Sequence, residues 1–124
     1  MTQPLALVLY HRLLPGTQLV NRLQDLQYRV ETLTDPARLT ECAEQTKPML
    51  VLADLDAPQQ DVCGAIRRLK QNPATQHLPV IGFLGEESAA LQDQARQAGA
   101  SLVVSSTAIL QHLSECLDQA LQVE

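Results

Sequence analysis

The stretch Met49-Leu50-Val51-Leu52-Ala53-Asp54-Leu55-Asp56 decides how the rest of the chain is read. Its first five residues are apolar without alternation, which is the pattern of a short strand covered on both faces. An acid follows at once, so the run ends where polar chemistry begins.

Working outward, similar runs occur at Leu5–Tyr10, Val30–Thr34, Pro79–Leu84 and Ser101–Ser105. Each is followed by a longer mixed stretch, so the chain reads as a βα unit repeated five times. Four runs, counting the first, are apolar at nearly every position. Val30-Glu31-Thr32-Leu33-Thr34 alternates instead and suits a sheet edge.

Helical spacing follows each run. It picks out Leu19, Leu23 and Leu26, then Val62, Ile66 and Leu69, then Leu91, Ala95 and Ala98, then Leu110, Leu113, Leu117 and Leu121. The second helix, near Arg38–Gln45, has only Leu39, Cys42 and Ala43 to bury, which predicts the loosest element. Turn residues Pro15-Gly16, Asp35-Pro36, Lys47-Pro48, Asn72-Pro73 and Leu84-Gly85 fall between runs, and Gly99 stands where a helix C-cap is expected.

Because crossovers between parallel strands are right-handed and both sheet faces need cover, the expected fold is α/β, a doubly wound five-stranded parallel sheet in three layers. The whole chain, 1–124, reads as a single domain, since 124 residues leave room for one core.

Composition narrows the function. Nine basic against fourteen acidic residues repel phosphate backbones and anionic lipid, and three aromatic residues give no stacking platform. No nucleic-acid partner and no membrane partner is expected. The N-terminal run ends at Tyr10, too short to span a bilayer and without a basic leader, so a cytoplasmic protein is expected. Cys42, Cys63 and Cys116 show no Cys-x-x-Cys spacing and are read as reduced packing residues.

In such sheets ligands gather at the C-terminal ends of the strands. Those ends carry Tyr10-His11, Asp54-Leu55-Asp56, Leu84-Gly85 and Ser105-Ser106. No glycine-rich phosphate loop occurs, so no nucleotide or flavin cofactor is expected.

The run from Leu50 through Asp54 to Pro58 and Asp61, followed by Asn72-Pro73-Ala74-Thr75-Gln76-His77-Leu78-Pro79-Val80-Ile81 and Ala98-Gly99-Ala100, resembles the receiver domains of bacterial two-component response regulators. The resemblance covers the whole chain. It implies a flavodoxin-like sheet of strand order 2-1-3-4-5 and places the phosphoacceptor at Asp54.

The same resemblance marks losses. The family's Mg²⁺-holding acidic pair falls on Tyr10 and His11, its hydroxyl residue on Leu84, its aromatic partner on Val103, its lysine on Ser106, and its following proline on Thr107. Mg²⁺ favours carboxylate oxygen, and a fixed cation stabilises transferring phosphoryl charge, so phosphotransfer should be slow or absent. The chain is therefore read as a degenerate member, or pseudo-receiver. It is expected to be no enzyme, to hold no metal or cofactor, and to act by binding a signalling protein, a sensor kinase or a downstream effector, with a homodimer as one form.

Receivers commonly use the face of the fourth helix, fifth strand and fifth helix, which here offers Gln92, Gln97, Ile109, His112 and Glu115, with Gln94 and Gln111 beside them. Fifteen glutamines against two lysines leave a surface with little charge steering, which suits close association. With the last residue at Glu124, the expected output is another protein.

Alternatives stay open at several residues. Asp54 reads equally as a phosphoacceptor in a working phosphorelay or as a turn cap. His11, Asp54 and Asp56 read as a transition-metal set in a small flavodoxin-like protein or as solvated loop residues. Tyr10 reads as a gate or as an amphipathic strand end. Arg67-Arg68-x-Lys70 reads as a docking patch or as cations at a helix C-terminus.

Overall fold

The computed structural model describes residues 5–10, 13–55, 62–84 and 89–122, with the backbone alone for 13–16 and 120–122. Strands β1 (Leu5–Leu9), β3 (Leu50–Asp54) and β4 (Val80–Leu84) are central, and β3 and β4 are buried at every position. Strands β2 (Arg29–Leu33) and β5 (Leu102–Ser105) close the two edges. All pairings are parallel and the order is β2-β1-β3-β4-β5, as the sequence led one to expect.

Side chains alternate along each strand, so the sheet has two apolar faces. Leu7, Leu9, Val51, Ala53, Val80, Leu84 and Val103 pack with helices α2 (Leu39–Thr46), α3 (Val62–Gln71) and α4 (Ala89–Ala98). Ala6, Val8, Leu50, Leu52, Ile81 and Phe83 pack with α1 (Leu13–Asp25), α5 (Ser106–Gln111) and α6 (Leu113–Gln122). Three layers result, with the strand C-terminal ends at one rim.

Several expectations need correction. Pro15-Gly16 is no turn between elements, because α1 already begins at Leu13. Proline is tolerated there, since the first helical N–H groups have no acceptor within the helix. The same helix ends at Asp25, leaving Leu26 outside the buried stripe and 39% exposed. The fifth strand is an edge, as the expected order implies, but its apolar run is not covered throughout, and only Val103 is buried.

The fifth helix is two helices. His112 leaves the helical region at φ −124° and ψ 35°, and the buried line runs through Ile109, Leu113, Cys116 and Leu117 rather than through Leu110. Leu110 packs against the same cluster but stays partly exposed. Cys116 is buried, and desolvation, with Glu115 nearby, pushes its thiol pKa up, which keeps it protonated and inert.

Helix ends follow a common device. Gly99 has φ +121°, its N–H reaches Arg96 O at 3.1 Å, and the Ala100 N–H returns to Ala95 O at 3.0 Å, a Schellman closure. Gln27 closes α1 in the same way with φ +70°, although it carries a Cβ. Asp35 caps the 3₁₀ turn Pro36–Arg38 through the Ala37 N–H at 3.0 Å, and Thr75, itself buried, donates to Leu69 O at 2.6 Å.

Lys70 stands in the last turn of α3, as the helix-end reading has it, and its side chain reaches beyond the helix. Its ammonium donates to Leu78 O at 2.5 Å and to Gln76 O at 3.3 Å, tying α3 to the loop that enters β4. Its stem lies where a Cβ on Gly99 would go, 2.5 Å from Lys70 Cγ. Gly99→Ala therefore meets both an unfavourable φ and a packed neighbour, and should destabilise by about 2–3 kcal/mol. Urea unfolding checks this, and the loss should shrink in a Lys70→Ala background, where the stem is gone.

Candidate functional site

The C-terminal rim is built from four strand ends. Tyr10 leaves β1 with its N–H on Leu33 O at 3.0 Å, which anchors the strand end to the β2 edge. Its ring is half-buried and packs against the α1, α5 and α6 side of the core. That is the amphipathic strand-end reading.

Asp54 is the last residue of β3 and is 1% exposed, one of two buried polar or charged residues among those described. Its register partner is Phe83 on β4, and the next residue donates from Leu55 N to Phe83 O at 2.8 Å. Leu55 is buried as well. Gly82 makes this possible, because a Cβ there would lie 2.9 Å from Leu55 Cδ1. The sequence reading gave Gly82 no role, since only the register shows that the first loop residue after Asp54 folds over it.

Leu84 ends β4 at 2% exposure and pairs in register with Ser105. Val103 lies in the same apolar cluster as Leu84, on the α4 side of the sheet. The two positions that the resemblance assigns to a hydroxyl and an aromatic residue are thus neighbouring aliphatic core positions. Neither can form a hydrogen bond through its side chain.

Ser105 and Ser106 close the fifth strand. The Ser105 hydroxyl accepts from Ala108 N–H at 3.0 Å and caps α5, a role legible in the Ser-Ser-Thr run but not assigned from it. The Ser106 hydroxyl oxygen is shut off from solvent and meets no hydrogen-bond partner among the described residues. An isolated hydroxyl of this kind is uncommon in native cores.

His11, Asp56 and Gly85 lie outside the described residues, so the metal reading of His11, Asp54 and Asp56 is not placed by this geometry. Among the described residues no group of three or more His, Cys, Asp or Glu side chains comes together as a metal site. At the rim the described side chains of Tyr10, Leu84, Ser105 and Ser106 carry no positive charge.

The expected interaction face is only partly as read. Gln97, Gln111, His112 and Glu115 are exposed, and Gln92 is half-buried. Ile109 is fully buried and cannot belong to a surface, because it lies on the face of α5 that packs on the sheet with Phe83, Leu113 and Leu117. His112 Nδ1 stands 3.8 Å from Glu115 Oε1, a solvent-screened pair of little energetic weight.

No family model matches the chain, and no curated protein matches it. Solved structures do. The receiver domain of a sensor histidine kinase from Pseudomonas aeruginosa, with magnesium coordinated in its active-site cleft, superposes with a TM-score of 0.87 at 19% identity, over 98% of this chain and 100% of that one. Chemotaxis protein CheY4 of Vibrio cholerae gives 0.85 at 17% identity, over 97% and 100%. The beryllofluoride-activated receiver domain of Klebsiella pneumoniae RstA gives 0.83 at 21%, over 96% and 99%. With the same sheet order and helices on both faces, this chain has the fold of a response-regulator receiver domain.

Proposed function

We propose that this chain is a receiver-type two-component signalling module that works by binding a partner protein and does not depend on phosphorylation of Asp54. The observation that carries this reading is the make-up of the rim. Asp54 is present and buried, while an apolar Leu84 and a neutral Ser106 occupy the positions where the resemblance expects a hydroxyl and a lysine.

A phosphoryl group on Asp54 would add negative charge to a buried carboxylate without a fixed cation from β5. Electrostatic stabilisation of that charge is the largest contribution such a site makes, and here its main protein source is replaced. Transmission is replaced too, because Leu84 and Val103 have no hydrogen bond to exchange when charge appears. Asp54 then serves as the buried polar end of β3.

Such a module is not an enzyme, holds no resident cofactor, and signals through surface contacts. Exposed Gln97, Gln111, His112 and Glu115 flank the β5 edge and offer a face of low charge to a sensor kinase, an effector or a second copy. No helix among the described residues is long and apolar enough to cross a membrane, which accords with a cytoplasmic module.

The test is incubation with Mg²⁺ and a small-molecule phosphodonor, followed by intact mass and amide NMR, with Asp54→Ala as control. Unchanged mass and unmoved β5 amides are expected. A stable adduct on Asp54, absent from Asp54→Ala, with shifts reaching Val103 and Ser105, would overturn the proposal and make the chain a phosphorylation-driven switch.

A further inference from the structure

At the opposite rim of the sheet from Asp54, a recess of about 300 Å³ opens between the end of α2 and the loop joining α3 to β4. This is the lower end of the range for small-molecule sites. Buried Ala43, Pro48 and Leu78 supply an apolar floor. Glu44, Lys47 and His77 stand exposed around it.

The charges on this rim are arranged unusually. Glu44 and Lys47 lie three residues apart, yet no ion pair joins them. One reason is visible in the backbone. Lys47 has left the helix at φ +52°, its N–H on Ala43 O at 2.9 Å, so it no longer follows the helical track above Glu44. Glu44 is held elsewhere, with Oε1 accepting from Asn72 Nδ2 and Oε2 left over. A lysine, a glutamate and a histidine thus share the lining of one recess with an apolar floor, and the first two do not pair with each other.

The geometry points to a site for a free α-amino acid with an aliphatic side chain. Its carboxylate would meet Lys47 and His77, its ammonium the Glu44 carboxylate, and its side chain the surface of Ala43, Pro48 and Leu78. A ligand with one charge satisfies only half of this rim. A ligand with both charges but a polar side chain wastes the floor.

Titration of the full chain with L-leucine, followed by ¹H–¹⁵N NMR, tests this. Saturable shifts confined to residues 43–49 and 76–78 are expected, with a dissociation constant on the order of 1 mM. 4-Methylpentanoate, which lacks the ammonium, and isopentylamine, which lacks the carboxylate, should each bind at least about fivefold more weakly, as should L-leucine to Lys47→Gln and to Glu44→Gln. Both substitutions are at exposed side chains, so the variants should keep the wild-type spectrum elsewhere. Linear shifts without saturation, equal binding of 4-methylpentanoate, or indifference to both substitutions would overturn the assignment. None of these outcomes bears on Asp54, so the two proposals stand or fall separately.

Discussion

Combining Tyr10→Asp, His11→Asp and Ser106→Lys should raise the affinity of Asp54 for beryllofluoride in the presence of Mg²⁺ by at least about a hundredfold over the unmodified chain. Beryllofluoride stands in for a phosphoryl group on the Asp54 carboxylate, so its binding reads the electrostatics of the site without a donor. Mg²⁺ takes near-octahedral oxygen ligands and needs carboxylates beside the acceptor, which Tyr10 and His11 do not supply. Ser106→Lys adds a cation where a hydroxyl now has no partner among the described residues.

Removing a single preorganised donor from a site of this kind costs on the order of 10²–10³ in rate, and restoring one should recover a comparable factor. Adding Asp54→Ala to the same background should abolish the gain. Adding Leu84→Thr should leave adduct formation unchanged but carry NMR shifts to Val103 and Ser105, since Leu84 and Val103 share one cluster and Leu84 pairs with Ser105. A rebuilt site that stayed silent would mean that these groups do not set the reactivity of Asp54.

The second large effect is on stability. Phe83→Ala should cost about 3–5 kcal/mol, out of a total on the order of 5–15 kcal/mol for a domain of this size. Phe83 is the one phenylalanine in the chain, is fully buried, and fills the face of β4 that α5 and α6 cover, among Ile81, Ile109, Leu113 and Leu117. The chain has no tryptophan, and the two tyrosines that pack on this cluster, Tyr10 and Tyr28, are only partly buried and carry hydroxyls that disfavour an apolar cavity. The cavity should therefore persist.

In urea the midpoint should fall by roughly 1.5–2.5 M if the slope is near 2 kcal/mol/M. Phe83→Leu should lose only about 1–1.5 kcal/mol, because most of the volume is kept. The bond from Leu55 N–H to Phe83 O is a backbone bond and should survive both changes. A loss under about 1 kcal/mol for Phe83→Ala would show that this layer collapses freely and that α5 and α6 are not held by it.

Strand positions were legible because buried parallel strands have to be apolar almost throughout, and few other elements of that length are. The expected bounds of all five strands agree with the structure to within a residue at each end. Buried Leu19, Leu23, Val62, Ile66, Leu69, Ala95 and Leu117 were legible from helical spacing for a similar reason, since each helix covers the sheet with one stripe. Asp54 stood out because an acid directly after an apolar run has no packing role to explain it.

What only the tertiary structure decided depends on relations between distant segments. That the last helical stretch is two helices follows from a break at His112, a backbone event without a proline or glycine to announce it. That Lys70 ties two loops, and that Gly82 gives Leu55 its place, are matters of register between elements, where sequence distance says nothing about spatial distance. The sequence by itself determined the alternation of strands and helices and the acid at the end of β3, because local burial writes a local pattern. Tertiary structure alone decided which side chains stand beside that acid, because those neighbours arrive from separate strands whose order and register are set by the packing of the whole sheet.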